Sequence, residues 1–319
     1  MQIMASFDAG VLPDQRGRTA IVTGGNSGIG LEAAVVLARK GARLVLACRN
    51  PGKAKAAADT IAADAIGRAA PNAELEVLAL DLADLSSVRE FARAFSARHA
   101  RLDLLVNNAG VMAIPYRKTA DGFEMQIGTN HLGHFALTGL LLERLLATPG
   151  ARVVNVSSGA HRMGKIRFDD LHWAQRYRRW GAYGQSKLAN LLFTFELQRR
   201  LAARRLTQIS VACHPGYAAT DLQFVAPRMD GSRLLGRAMA LGNRILAQSA
   251  ADGALPTLYA ALAPEVQGGD YIGPDGPGEM WGSPKKVGAS VRARSEADAR
   301  RLWELSEAQT NVRFDALAG

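Results

Sequence analysis

The feature that most constrains this chain is a repeated alternation, in which a short apolar run is followed by a longer amphipathic one. "RTAIVTGG" reads as a buried strand, and "GIGLEAAVVLARKGA" as a helix closing at Gly41. The same alternation continues through "RLVLACRN" with the Ala- and Lys-rich "PGKAKAAADTIAADAIG", and through "LEVLALDL" with "SSVREFARAFSARHA". "LDLLVNNAG" then precedes a loop and one long helix, "GFEMQIGTNHLGHFALTGLLLERLLA". "ARVVNVSSG" precedes a helix carrying Tyr183 and Lys187, and "TQISVACHPG" is a sixth strand. Strands that are apolar at consecutive positions bury both faces, which requires a parallel sheet covered by helices on each side. The expected fold is therefore α/β, a Rossmann-type doubly wound parallel sheet in three αβα layers. Ligands of such sheets sit at the carboxyl ends of the strands.

No repeat, low-complexity tract or linker divides the 319 residues. The expected organisation is an N-terminal extension over 1–16 and a single domain over 17–319, with substrate-binding segments near 217–251 and 264–284. The Gly- and Pro-rich "GGDYIGPDGPGEMWGSP" reads as a late strand with irregular flanks.

Hydrophobic residues at 48% and charged residues at 21% fit a soluble globule. Lys and Arg number 39 against 29 acids, a formal charge of +10. The excess is mostly arginine, spread over "HRMGKIRF", "RYRRW", "LQRRLAARRL" and "VRARSEADARR" with no zinc-finger spacing or aromatic RNA-binding motif. It reads as solvated surface rather than a nucleic-acid face, with one or two charges available to a phosphate-bearing cofactor. Cys48 and Cys213 make neither a disulfide framework nor a metal-ligand cluster, which suits a reducing compartment. The start "MQIMASFDAGVLPDQRG" lacks a secretory pattern, and Glu143 and Arg144 interrupt the greasiest stretch. A cytoplasmic protein without an integral membrane segment is the expectation.

"TGGNSGIG" (23–30) lies between the first strand and the first helix. Glycines 24, 28 and 30 allow a tight turn and let a pyrophosphate approach the helix N-terminus, where free N–H groups and the dipole favour anions. Alone, the spacing is also that of a plain tight βα turn. The second strand ends not in the acid that would bind the ribose of NAD but in Arg49, which suits the 2′-phosphate of NADP. Read otherwise, Arg49 is an exposed strand-end arginine. Lys53 is a weak helper, and Asp81 is placed after the third strand to meet the adenine ring. NADP(H) is the preferred cofactor, with NAD(H) as the alternative. In "AYGQSKLAN", Tyr183 and Lys187 are four apart and share a helical face. A phenol titrates near pH ~10, so proton transfer at neutrality needs an activator beside it.

Taken in order, "TGGNSGIG", "NNAG", "VNVSS" and "YGQSK" resemble the short-chain dehydrogenase/reductase family from residue 17 to about 225. "NNAGVM", "TADGFE", "NHLGHF" and "SKLANLLFT" are similar to its retinol-dehydrogenase-like branch, which also resembles the light-dependent protochlorophyllide reductases. The resemblance implies an NAD(P)-dependent enzyme that interconverts a carbonyl and an alcohol. Its catalytic group would be Tyr183, Lys187, Ser158 and Asn130, with Ser158 taken over Ser157 because the family uses the second serine of the pair. The Lys187 ammonium would bring the Tyr183 phenol toward neutrality and hold the ribose hydroxyls, and Asn130 would hold a water. Cofactor contacts would come from Thr23, Gly24, Asn26, Ser27, Gly28, Ile29 and Gly30, from Arg49, Asn50, Asp81 and Leu82, and from Asn108, Ala109 and Gly110. Pro215 and Gly216 would meet the nicotinamide end, and Thr220 its carboxamide or a phosphate.

His131, His134 and His161 lack metal-like partners and read as structural or lining residues. Met112, Tyr116, Trp173, Trp180 and Phe224 suit a lipophilic carbonyl substrate, and equally suit ordinary packing. A possible homo-oligomer is also expected. A non-catalytic dinucleotide-binding sensor and a light-dependent reductase are the competing readings.

Overall fold

In the computed structural model, which describes residues 9–67, 74–218 and 248–318, the sheet pivots on β1 (Thr19–Thr23). To one side lie β2 (Arg43–Cys48) and β3 (Leu75–Ala79), and to the other β4 (Leu104–Asn107), β5 (Arg152–Val156), β6 (Ile209–Cys213), β7 (Tyr271–Pro274) and β8 (Pro284–Lys286). The spatial order is β3-β2-β1-β4-β5-β6-β7-β8. Every neighbouring pair is parallel except β7 and β8. The strand order reverses between β1 and β4, so the crevice of this sheet opens at their carboxyl ends.

Continuous apolar strands are explained by burial on both faces. Ile21 and Val45 point into a core with Val88, Phe91 and Phe95 of α3 (Leu85–Arg98) and with Phe135 of α5 (Gly133–Leu140). Their neighbours Val22, Leu44 and Leu46 point into the opposite core, against Ala34 and Leu37 of α1 (Gly28–Arg39). That side is completed by α2 (Pro51–Gly67) and by Ala254 and Leu258 of α8 (Ala250–Leu262). On the first side, α7 (Arg179–Ala203) and α9 (Glu296–Thr310) pack through Phe193 and Trp303. Trp303 also stacks edge-on against Phe135, with centroids 5.2 Å apart.

The structure departs from the sequence expectation in several places. The helix expected over "GFEMQIGTNHLGHFALTGLLLERLLA" is broken into α4 (Met125–Ile127), a π-helical turn (Gly128–Leu132), α5, and α6 (Leu142–Leu146). π-turns insert one residue into the ladder and gather at functional positions; this one contains Asn130. The late strand is a pair, because Pro284–Lys286 folds back antiparallel on β7. The described part of the expected N-terminal extension, residues 9–16, packs on the domain. Leu12 is buried in the α1-side core, and the Gln15 N–H donates to the Lys40 carbonyl at 2.8 Å. Several surface arginines lie over aromatic rings, as Arg200 does over Trp303 at 4.3 Å and Arg301 over Phe168 at 4.2 Å. Among the described residues no helix is long and apolar enough to cross a membrane.

Candidate active site

A cleft of about 310 Å³ opens at the strand reversal, lined from the ends of β1, β2, β3 and β4. Gly24 has φ +66°, a conformation that L side chains rarely adopt, and a Cβ there would crowd Ala109 at 3.1 Å. A Cβ on Gly30 would meet Asn108 Nδ2 and the Gly24 carbonyl at 2.5 Å, so only glycine lets α1 approach the β4 loop this closely. Ser27 is the N-cap of α1, yet its side chain makes no cap hydrogen bond. The first amides of the helix are thus left to an anion. These features fit a dinucleotide: a backbone cradle, an uncapped helix N-terminus, and Arg49 exposed at the rim. Among the described residues Arg49 makes no ion pair.

Gly24, Asn26, Ser27, Gly28, Ile29, Gly30, Arg49, Asp81, Leu82, Asn108, Ala109 and Gly110, all expected to meet the cofactor, line this cleft. Asp81 accepts from the Ala83 N–H at 2.9 Å through Oδ1. Thr23 does not line the cleft; it is fully buried, and its hydroxyl accepts from the N–H groups of Asn108 at 2.9 Å and Ala109 at 3.0 Å. It joins the β1 and β4 ends from beneath. Asn50 also lies off the cleft lining, where its Oδ1 accepts from the Lys53 N–H at 3.0 Å. Sequence reasoning missed Ala47, Cys48, Leu80, Val111 and Thr129 as lining residues. Most adjoin a motif at a strand end, and that adjacency was the available signal. Burial pushes the Cys48 thiol up to about 11, so it stays protonated.

Helix α7 places Tyr183 and Lys187 one turn apart, both buried. Lys187 Nζ lies 5.9 Å from the Tyr183 ring centroid and donates to the Val156 carbonyl, at the end of β5, at 3.0 Å. A Cβ on Gly110 would come within 3.6 Å of the same Nζ, so the β4 loop passes close above it. The two serines of "VNVSS" diverge. Ser157 Oγ donates to the Lys187 carbonyl at 2.8 Å, whereas Ser158 Oγ accepts from the Ala160 N–H at 3.2 Å and lies near enough to the Tyr183 phenol to act on its acidity. Asn130 sits below them with its amide fully engaged: Oδ1 accepts from Val111 N–H at 2.8 Å, and Nδ2 faces the Val111 carbonyl and Ser186 Oγ, both at 2.9 Å. The π-turn thereby ties the β4 loop to α7.

The electrostatics differ from the expected activation of the phenol. Burial pushes Tyr183 up to about 12, opposed by the Ser158 hydroxyl. Burial also lowers Lys187 to about 8. Both shifts have the same cause, since a dry site disfavours phenolate and ammonium alike. The protein's own groups therefore keep Tyr183 a phenol, which is the form that donates a proton.

His131 and His134 are structural: burial lowers them to about 3 and about 4, and they pair with Ser306 Oγ and Thr23 Oγ1, both at 2.9 Å. No cluster of potential metal ligands occurs among the described residues. Pro215 and Gly216 form the turn after β6, outside the cleft lining, with Gly216 at φ +67°. Thr220 and Phe224, and most of the expected segment 217–251, lie outside the described residues. Of the expected substrate-side aromatics, Trp173 is buried, whereas Tyr116 and Trp180 are 39% and 53% exposed. The Trp180 ring lies 6.0 Å from that of Tyr183.

The family model described as short chain dehydrogenase matches residues 18–229. Retinol dehydrogenase 12 of Mus musculus is 44% identical over 290 residues, covering 91% of this chain and 85% of the relative. A crystal structure of an uncharacterized protein from Mycobacterium paratuberculosis is 44% identical, with a TM-score of 0.78 over 97% of this chain and 99% of that one. The Pseudomonas aeruginosa RhlG/NADP complex, 23% identical with a TM-score of 0.63 over 84% of this chain and 98% of that one, shares the fold. The chain belongs to the short-chain dehydrogenase family. Within it the chain falls in the retinol-dehydrogenase-like branch, and it is an oxidoreductase that acts on alcohol and carbonyl groups with a nicotinamide cofactor.

Proposed function

We propose that the protein interconverts a lipophilic aldehyde or ketone and its alcohol, using NADP(H), with Tyr183 as the proton donor and acceptor. The observation that carries this reading is the buried Tyr183 phenol, one helical turn from the buried Lys187, whose Nζ lies 5.9 Å from its ring centroid. The cofactor, when bound, supplies the hydride; the protein supplies orientation and proton handling. In reduction, the Tyr183 O–H donates its proton to the oxygen that gains charge. Ser158 donates a second hydrogen bond to that oxygen, stabilising it in a site shielded from water. Lys187, held on the Val156 carbonyl, keeps a positive charge near the phenolate that results.

Preference for NADP(H) is supported by Arg49, exposed at the cleft rim, where a cation suits a 2′-phosphate. A lipophilic substrate is supported by the exposed apolar side chains near Tyr183. Trp180 faces its ring, and the Met163 side chain, 61% exposed, lies against Gly184. The deciding experiment compares NADPH with NADH turnover on a panel of aldehydes and ketones, with Tyr183→Phe as control. NADPH-driven reduction of the apolar members, lost in the variant, is expected. Equal turnover by the variant overturns the role of Tyr183. Arg49→Glu should lower the NADPH-over-NADH ratio of kcat/KM about ten- to a hundredfold, the worth of charged hydrogen bonds to a phosphate.

A further inference from the structure

The residue that follows β6 belongs to a construction that neither the cleft nor the Tyr183 cluster uses. His214 is buried, and the Gly216 N–H points at its Nδ1 from 3.3 Å. A backbone N–H can only donate, so Nδ1 accepts and the ring proton sits on Nε2. That Nε2–H donates to Glu279 Oε2 at 2.9 Å. The other carboxylate oxygen accepts from Arg162 Nη2 at 2.8 Å. One carboxylate therefore joins the turn after β6 to the 3₁₀ turn Gly159–Met163, whose N-cap is Ser158. His161 braces the same turn. The Ser290 N–H donates to its Nε2 at 3.2 Å, which leaves Nδ1–H to donate to the Ser158 carbonyl at 2.7 Å.

Glu279 holds an unusual backbone to do this. Its φ is +57°, beside Gly278 at +63°. A non-glycine residue in that region is strained and persists only where its surroundings over-determine it. The His214 hydrogen bond, aided by Arg162, holds the Glu279 carboxyl below the usual carboxylate range. Space is made by glycines on both sides. A Cβ on Gly273 would collide with His214 Nε2, and one on Gly216 with the Met280 carbonyl. That carbonyl also accepts from the Tyr217 N–H at 2.7 Å, so the 277–280 turn sits directly on Pro215–Gly216.

We propose that Glu279 is a positioning residue: by bridging His214 and Arg162 it fixes the Pro215–Gly216 turn against the turn that carries Ser158. It thus keeps the segment expected to meet the nicotinamide in register with the hydroxyl expected to meet the substrate oxygen. It also presents Met280 and Trp281, 37% and 40% exposed, beside that turn. The tie itself is a statement about this fold; its effect on turnover rests on the function proposed above.

The test follows both consequences in the full-length protein. Hydrogen exchange by mass spectrometry should show Glu279→Ala opening peptides over 157–164 and 214–218 together, at least about tenfold faster, because both lose the same anchor. Arg162→Ala should loosen mainly the first, and the near-isosteric Glu279→Gln should fall between wild type and alanine. In turnover, Glu279→Ala should lower kcat about ten- to a hundredfold through misplacement of reacting groups. The NADPH dissociation constant should stay within about twofold, because the dinucleotide cleft lies at β1–β4. Unchanged exchange in both turns, or loosening confined to 275–282, overturns the tie whether or not the protein reduces any carbonyl tried. A tie that holds with kcat unchanged overturns the positioning role. Absence of wild-type turnover on every carbonyl counts against the proposed function, and the exchange result still decides the tie.

Discussion

The two ends of the site are built in opposite ways. At the β1–β4 end, backbone does the work: glycines at 24 and 30 let chain segments approach to distances that no side chain would permit, and an uncapped helix start supplies amides. At the β5–β7 end, side chains do it: Tyr183, Lys187 and Ser158 are set by their packing, and His214, Glu279 and Arg162 lash together segments far apart in sequence. A nucleotide cradle can be written within eight consecutive residues, because it needs conformational freedom at fixed spacing. A proton-transfer site needs groups whose pKa values depend on burial, and burial is collective.

Variants at the two ends sharpen this contrast. The largest effect belongs to Tyr183→Phe, which keeps the buried ring and removes the proton. Its kcat should fall about 10²- to 10⁴-fold, with NADPH titration nearly unchanged. Gly30→Ala should do the reverse. The added methyl overpacks against Asn108 and Gly24 and should cost about 1–3 kcal/mol in stability or dinucleotide binding, read by thermal melting and NADPH fluorescence. A Gly30→Ala variant that binds NADPH normally and melts like wild type would erase the contrast.

Lys187→Met gives a smaller effect whose sign depends on pH. The folded value of about 8 lies below the ordinary 10.5, so the unfolded chain holds more protons between those values. The site's contribution to stability therefore rises with pH from about 8 to 10.5, and below about 8 the buried ammonium carries its full penalty. Lys187→Met should thus melt higher than wild type at pH 7, by the equivalent of about 1–3 kcal/mol, with the difference shrinking toward pH 10. Tyr183, raised to about 12 from 10.0, opposes this only above about pH 10, where its contribution falls. A variant that melts lower at pH 7 would show that the Val156 hydrogen bond outweighs the burial. Smallest is Trp180→Ala, which should raise KM for apolar carbonyls roughly two- to fivefold without moving the melting temperature, as expected for one partly exposed apolar side chain. Equal shifts for polar and apolar substrates would remove Trp180 from the substrate wall.

The amino-acid sequence alone was enough for the succession of apolar strands and intervening helices through β6, the glycine turn at 23–30, the strand-end Arg49, and the Tyr183/Lys187 spacing. These are local: each depends on the character of neighbouring residues or on a fixed helical period. The resemblance already chose Ser158 over Ser157, but only the tertiary structure shows how the pair divides. Ser157 Oγ is tied to the Lys187 carbonyl and Ser158 Oγ caps the turn after β5, a division that depends on which face of the β5 end meets α7. Only the tertiary structure bent the helix at Asn130 into a π-turn. Its amide is held by Val111 on one side and Ser186 on the other, contacts 19 and 56 residues distant. The same holds for Tyr183, whose phenol is raised by burial rather than lowered by its lysine. The 65-residue separation of His214 and Glu279 leaves no periodic trace in the chain, and their pairing exists only once β7 has closed beside β6.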